Sequence, residues 1–266
     1  MRQWNEFSNR MRPSAAALVV FLAGWAVFSL PVSYAQSVVA VVNAANLRTD
    51  QPVSAGSWVL GSGNFANVTL TVATSLPLPK SLGAVTITVG DVQAAIGSVS
   101  STEVRFLIPY QTAPGLRAVV VAGPGGTANG TVRIINAAPG IFQLGTTDPP
   151  QGMILNQDNS NNSQSRPAIR GQLISIYATG HGALSQPISD GDAAPANPTI
   201  TTQVNPQVFI GGVECAVEFS GLVPGVAGLW RIAARLPSFA FLVGKLPVIV
   251  FMNGVDSNEV TIYVAP

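Results

Sequence analysis

Val85-Thr86-Ile87-Thr88-Val89 places an aliphatic side chain at every odd position and a threonine at every even one. Side chains alternate between the two faces of a strand, so this stretch predicts a strand with one face on a core and one in water. Val260-Thr261-Ile262-Tyr263-Val264, close to the other end, repeats the pattern. Outward from these two, short runs rich in Val, Ile and Thr recur at 57–60, 68–72, 103–108, 117–121 and 131–135, and again at 173–177, 207–210, 215–219, 229–236 and 246–251. Gly61-Ser62-Gly63, Gly90-Asp91, Pro114-Gly115 and Gly123-Pro124-Gly125-Gly126 supply turns between them. Strand runs about ten residues apart with turn signals between them predict an all-β sandwich or barrel. Beyond residue 36 no stretch keeps a 3.6-residue apolar period over three turns.

The two halves repeat one plan. Val42-Asn43-Ala44-Ala45-Asn46 parallels Leu155-Asn156-Gln157-Asp158-Asn159, and Ala55-Gly56-Ser57 parallels Arg170-Gly171-Gln172. Ile87-Thr88-Val89-Gly90 parallels Phe209-Ile210-Gly211-Gly212, and Ile108-Pro109 parallels Leu236-Pro237. Val119-Val120-Val121 parallels Val248-Ile249-Val250, two runs expected to lie mid-sheet. A duplicated unit of roughly 100 residues fits one immunoglobulin-like β-sandwich each. Gly, Thr, Asp and two prolines cluster at 143–152 without apolar alternation, so the boundary is drawn there. The expected layout is a leader at 1–35, a first immunoglobulin-like sandwich at 36–145, and a second at 146–266, joined through a short linker at 146–150.

The leader has the order charged, apolar, small-x-small. Arg2, Arg10 and Arg12 precede an apolar run over 15–30, Pro31 ends it, and Ser33-Tyr34-Ala35 offers a cleavage site after Ala35. The run is shorter than the roughly 20 residues a membrane-spanning helix needs, so a cleaved signal and a secreted or cell-envelope product are expected over a retained anchor. Charged residues make up only 9% of the chain and hydrophobic ones 47%, which opposes disorder. Taking Arg2, Arg10, Arg12 and Glu6 away with the leader leaves 10 basic and 11 acidic residues, dispersed along the chain. No basic patch of the kind that binds nucleic acid by counterion release is present. Cys215 is the sole cysteine, which excludes an internal disulfide, and its strand-like setting predicts a buried small hydrophobe.

The segments Val42-Asn43-Ala44-Ala45, Ala138-Pro139-Gly140-Ile141-Phe142, Ile154-Leu155-Asn156-Gln157-Asp158, Tyr177-Ala178-Thr179-Gly180-His181-Gly182 and Ser257-Asn258-Glu259-Val260-Thr261 resemble the Solibacter-type C-terminal domain family of exported acidobacterial proteins. The resemblance spans nearly all of 38–266. It implies two tandem sandwiches similar to the IPT/TIG branch of immunoglobulin-like folds, export, and no established reaction. Such domains often carry Gln-Ile/Val-Asn just before the Val-Pro or Ile-Pro pair. This chain has Glu103-Val104-Arg105 and Trp230-Arg231-Ile232 there instead.

Catalytic chemistry finds little to stand on. His181 is the sole histidine, so a Ser-His-Asp apparatus would have to use it, and no Gly-x-Ser-x-Gly elbow accompanies it. A lone histidine in a glycine-rich turn is expected to be exposed and inert. Zinc wants several His or Cys ligands, and the chain has two such residues. Glu214 and Glu218, four apart on one strand, share a face at about 13 Å, wider than the ~6.5–9.5 Å of an inverting glycosidase pair. They are expected to form an exposed acidic edge. Gly123-Pro124-Gly125-Gly126 lacks the Lys-Ser/Thr of a phosphate loop and predicts a hairpin turn.

No cofactor is expected, and calcium is the one ion weighed. Asn156, Asp158, Ser160 and Asn162 alternate oxygen donors, and Asp190-Gly191-Asp192 offers two carboxylates, so Asp158, Asp190 and Asp192 are the candidate metal ligands. Trp58 and Trp230, with the neighbouring Arg231, are the candidate binding residues. An exposed aromatic can serve as a sugar platform or an interface anchor, although Trp230 sits in an apolar strand where core packing competes. The composite expectation is an exported, non-catalytic binding or structural module acting on a protein, a polysaccharide or the cell envelope. The alternatives are a hydrolase with an unfamiliar carboxylate site, and an outer-membrane barrel, for which the runs are too short.

Overall fold

The computed structural model describes residues 37–49, 51–145 and 148–266. The leader and its cleavage site lie outside the described residues, as do Thr146 and Thr147 of the expected linker. Gln36–Pro266 forms one compact unit, and every regular element among the described residues is a strand.

The first half is a two-sheet sandwich. One sheet centres on the hairpin of strands Gly115–Gly123 and Gly126–Ile135, with Val85–Val89 alongside. The other is five-stranded, with Trp58–Ser62, Glu103–Leu107 and Ala95–Val99 at its centre, Ala40–Asn43 at one edge and Thr71–Val72 at the other. The second half follows the same plan strand for strand. Leu173–Thr179 takes the place of Trp58–Ser62, Trp230–Arg235 that of Glu103–Leu107, Gly244–Met252 that of Gly115–Gly123, and Val260–Ala265 that of the C-terminal part of Gly126–Ile135. Minor features repeat as well. Val53–Ser54 pairs in parallel with the last strand of its half at Ile134, and Ala168–Ile169 does the same at Val264. Gly56 N–H donates to Ile108 O and Gly171 N–H to Leu236 O, both at 2.9 Å.

The hairpins fix the register of the repeat. Val89 faces Val92 across one turn and Ile210 faces Val213 across the other, so Val89-Gly90 corresponds to Ile210-Gly211. The sequence parallel drawn at this turn is therefore one residue out. A one-residue slip moves every side chain to the opposite face, and the buried positions show the true phase: Val89 and Ile210 are both fully inside.

Each half buries its own core. Val85, Ile87 and Val89 have no accessible surface, while Thr86 and Thr88 are half-buried, as the alternation predicts. They meet Ile96, Val104, Phe106, Val119 and Ile134. The second core gathers Ile174, Ile176, Val208, Trp230, Val248 and Ile262. Burying each such aliphatic side chain contributes about 1.5–3 kcal/mol over leaving it in water. Thr261 departs from the expected wet face. It is buried because Pro150 covers it, its N–H and Oγ1–H both donating to Pro150 O.

One difference separates the copies. In the first half the chain breaks at Ala94, and strands Val92–Gln93 and Ala95–Val99 belong to different sheets. In the second, Val213–Leu222 runs unbroken, pairing with Gln207–Ile210 through its first residues and with Trp230–Arg235 through the rest. A bulge between Val217 and Phe219 turns the corner, the usual device for bending a strand between sheets.

The chain crosses between the two pairings earlier than composition indicates. Gly140–Ile141 and Gln143–Leu144 already pair with second-half strands. Gln143–Leu144 and Gln151–Gly152 pair with each other on either side of the expected boundary, and the connection between the sandwiches runs through Asn136-Ala137-Ala138-Pro139. Turn residues mark both a hairpin loop and a linker, and only the pairing tells them apart.

Candidate functional site

Ala137, Ala138 and Pro139 of the crossing segment are buried. Ala138 N–H donates to Gly180 O, and Asn43 Nδ2–H donates to Ala138 O at 3.3 Å. Gly180 has φ +86, and a Cβ there would lie 1.8 Å from Ala138 O, so only glycine lets the turn approach this closely. The turn points His181 into the junction. His181 has no accessible surface, the reverse of the exposed histidine expected in a glycine-rich turn. Its ring stacks on Tyr110 of the first half at 6.0 Å between centroids and meets Trp230 edge-on at 6.4 Å. Nδ1–H donates to Gly182 O at 2.7 Å, and Nε2 is buried without a hydrogen-bond partner. Burial pulls its pKa down to about 4, against a smaller upward pull from the Gly182 carbonyl. The neutral ring is the resident form. Tyr110 is pushed up from its ordinary value by burial and then by the Asp190 charge.

Asp190 clamps the same junction. Its Oδ1 accepts Tyr110 N–H at 2.7 Å, and its Oδ2 pairs with Lys80 at 3.1 Å. Next to it, Gly191 O accepts Leu78 N–H. Both oxygens of Asp190 thus hold first-half donors, Tyr110 N–H and Lys80. Asp158 lies elsewhere, its Oδ1 accepting Ser160 N–H and Oγ–H, contacts that also lower its pKa. Among the described residues no three His, Cys, Asp or Glu come together, so Asp158, Asp190 and Asp192 do not share a cage. Glu214 accepts from Gln207, while Glu218 sits at the bulge and pairs with Arg235 at 2.6 Å, so the two carboxylates serve different sheets. Cys215 is buried, and burial pushes its thiol up to about 11.

The tryptophans part company. Trp230 is fully enclosed in the second core, its Nε1–H donating to Ser220 Oγ at 3.0 Å. A ring without accessible surface cannot stack on a ligand, so the candidacy of Trp230 as a platform is withdrawn. Its neighbour Arg231 points the other way, half-buried with its guanidinium 4.7 Å over the Phe219 ring.

Trp58 is half-buried and lines a groove of about 760 Å³ between the halves. Its N–H donates to Thr179 Oγ1 at 2.8 Å, and its Nε1–H to Ala227 O at 3.0 Å, across the junction. The ring lies over Gly97, where a Cβ would come 2.7 Å from it. Glu103 and Arg105 project beside it from one strand. The rim carries Leu47, Leu70, Val72 and Val226, each exposed, with Phe142 and Leu229 from the second half. The volume falls in the range of small-ligand clefts, and an apolar lining with a few polar groups is their common make-up. Sequence reading finds Trp58 but not its setting, because the groove's residues are scattered over the whole chain.

Three of the segments that carry the family resemblance, Ala138–Phe142, Tyr177–Gly182 and Ser257–Thr261, are joined by hydrogen bonds. Gly140 and Ile141 pair with Thr179 and Ala178, and Asn258 exchanges two hydrogen bonds with Ile141.

No family model and no curated protein matches the sequence. Among solved structures, the chain is similar to a Bacteroides ovatus mixed-linkage glucan utilization protein, SGBP-B, bound to a heptasaccharide, at 14% identity over 80% of this chain and 42% of that one, TM-score 0.33. It spans less than half the length of that protein. It is also similar to a tandem of titin immunoglobulin domains, at 9% identity over 86% and 97% of the two chains, TM-score 0.22. A third likeness is to the BSP domain of a biofilm associated protein, at 13% identity over 87% and 30%, TM-score 0.26. None of these likenesses carries the fold, which rests on the strand pairing and the two separate cores described above.

Proposed function

We propose that this chain is an exported, non-catalytic binding or structural module of the cell envelope, and that the groove around Trp58 is its recognition site for a protein or polysaccharide. The observation that carries the reading is the exposed aliphatic rim. Leu70 is 76% and Val72 58% exposed beside a half-buried Trp with charged residues at hand. Folded chains seldom leave grouped apolar side chains in water unless a partner covers them. The leader, whose charged, apolar and small-residue order fits a signal peptide, supports export. Membership of the Solibacter-type family and its IPT/TIG-like branch belongs to the same reading and rests on the segments quoted above. Among the described residues no helix is long and apolar enough to cross a membrane.

The test is binding of the purified chain to an array of glycans and cell-envelope fractions, run beside a Leu70→Ser/Val72→Ser variant. Both side chains are exposed, so the variant keeps its fold. Binding that falls at least tenfold in the variant supports the groove. Binding unaltered by the substitutions removes the groove from the reading, and absence of binding in both removes the recognition role.

A further inference from the structure

Among the described residues, three of the four buried side-chain polar atoms without a partner gather at one turn. They are Tyr110 OH, Thr112 Oγ1 and Nε2 of His181, on which the Tyr110 ring stacks. Folded proteins pair nearly all such atoms, and each one left bare costs stability. The two hydroxyls do not hold the turn together. Thr112 closes it through its backbone, its N–H donating to Pro109 O at 3.0 Å. Tyr110 is fixed by its N–H on Asp190 and by its ring against His181.

Tyr110 and Thr112 line a cleft of about 580 Å³, within the range of small-ligand sites. First-half residues around 110–114 and 134–136 meet the second-half segment 182–188 across it. None of its lining residues lines the groove around Trp58. Four carboxamide residues border the cleft, Gln111, Asn136, Gln186 and Gln203, and all four are exposed. Among the described residues no charged side chain lines it. Ile134, Ile135 and Leu184 supply apolar surface.

We propose that this cleft binds a neutral saccharide, with Tyr110 OH and Thr112 Oγ1 as its buried hydrogen-bond partners. Hydroxyls and carboxamides both donate and accept, as sugar hydroxyls do. The aliphatic lining suits the C–H face of a sugar ring. The uncharged lining offers no partner to an acidic sugar or a phosphate. An extended peptide is read through the free backbone groups of a strand edge. Here the strand residues are already paired, Ile134 with Val53 and Gly115, and Ile135 with Ser54. Both hydroxyl oxygens are out of reach of water in the free chain, so the sugar reaches them by displacing the exposed Gln111 and Gln186 side chains.

Calorimetric titration of the purified chain with glucose, galactose, cellobiose and N-acetylglucosamine tests this, beside glucuronate and a capped tripeptide. The expected result is saturable binding of at least one neutral sugar, weakened about tenfold or more in Tyr110→Phe and in Thr112→Val. The Leu70→Ser/Val72→Ser variant of the Trp58 groove is expected to bind that sugar as the natural chain does. Without ligand, both single variants should melt no lower than the natural chain, and Thr112→Val about 2–4 °C higher, because a hydroxyl without a partner gives way to a methyl of the same shape. A lower melting temperature in either variant would show that its hydroxyl already has a partner, which overturns the inference. Absence of sugar binding at millimolar concentration overturns it, as does binding unaltered by the two substitutions. Preference for glucuronate or the tripeptide overturns the saccharide assignment, and sugar binding lost in Leu70→Ser/Val72→Ser moves the sugar to the groove and overturns the cleft.

Discussion

Acid should loosen this molecule through one residue. His181 is neutral, fully buried and held near a pKa of about 4, against the ordinary 6.5 it regains on unfolding. The groups packed around it are the Tyr110 and Trp230 rings and the Gly182 carbonyl, with Asp190 engaged by Tyr110 N–H and Lys80 on the far side of that tyrosine. None offers an acceptor to a proton on Nε2, which has no partner. Between pH 4 and pH 6.5 the unfolded chain therefore binds a proton that the folded chain refuses. Stability is whole above about pH 6.5, declines as pH falls, and levels off below about pH 4 once about 3 kcal/mol is lost. Between pH 7 and pH 5 the loss is about 2 kcal/mol, a fall in melting temperature of roughly 4–8 °C for a chain of this size. His181 is the sole histidine, so little else titrates in the upper part of that window. The assay is thermal unfolding at pH 7, 6 and 5, with His181→Gln in parallel to subtract the carboxylates. The expected outcome is a pH slope in the natural chain that the variant lacks. Equal slopes in the two chains would show that His181 is not held neutral, and the description of the junction would fail with it.

Other expectations are simpler to read. Ile262→Asp, at a position without accessible surface, should cost more than about 4 kcal/mol by leaving a buried charge without compensation; an unchanged melt would contradict the core assignment. Asp190→Ala should cost about 1–3 kcal/mol because Tyr110 N–H loses its acceptor, whereas Lys80→Ala should cost less than about 1 kcal/mol for a partly exposed ion pair. Equal losses in chemical denaturation would show that the ion pair, not the backbone hydrogen bond, holds the clamp. Cys215, with its thiol pushed up to about 11 by burial, should resist a thiol reagent at about pH 8 until the chain unfolds. Rapid labelling of the folded chain would place it at the surface.

The legible parts of the fold are those written in local pattern. The alternation in Val85–Val89 and the strand run at Gln207–Ile210 come through at the right residues, and Gly123-Pro124-Gly125-Gly126 is a hairpin turn. Strand Ala95–Val99 is not legible in the sequence because Gly97 and Ser98 interrupt its apolar run, and Gly97 makes room for Trp58, a residue from another strand. The burial of His181 and the clamp at Asp190 are hidden from the sequence for a related reason. A glycine-rich turn and an Asp-Gly-Asp loop look like solvent-facing segments, and it is the neighbouring sandwich that encloses them. The candidate site was legible only at Trp58.

The sequence by itself determined that the chain is all-β, duplicated and built from two cores, because strand period, turn chemistry and repeated landmarks are properties of neighbours along the chain. Tertiary structure alone decided that Trp230 is core while Trp58 lines a groove, that Asp190 is a clamp, that His181 is sealed in neutral form, and that Phe239 and Phe241 stand in water. Burial is set by what lies across space. Tyr110 follows Pro109 and Ser238-Phe239 follow Pro237 in equivalent turns; Tyr110 is enclosed against His181 of the second sandwich, whereas Phe239 is left 53% exposed.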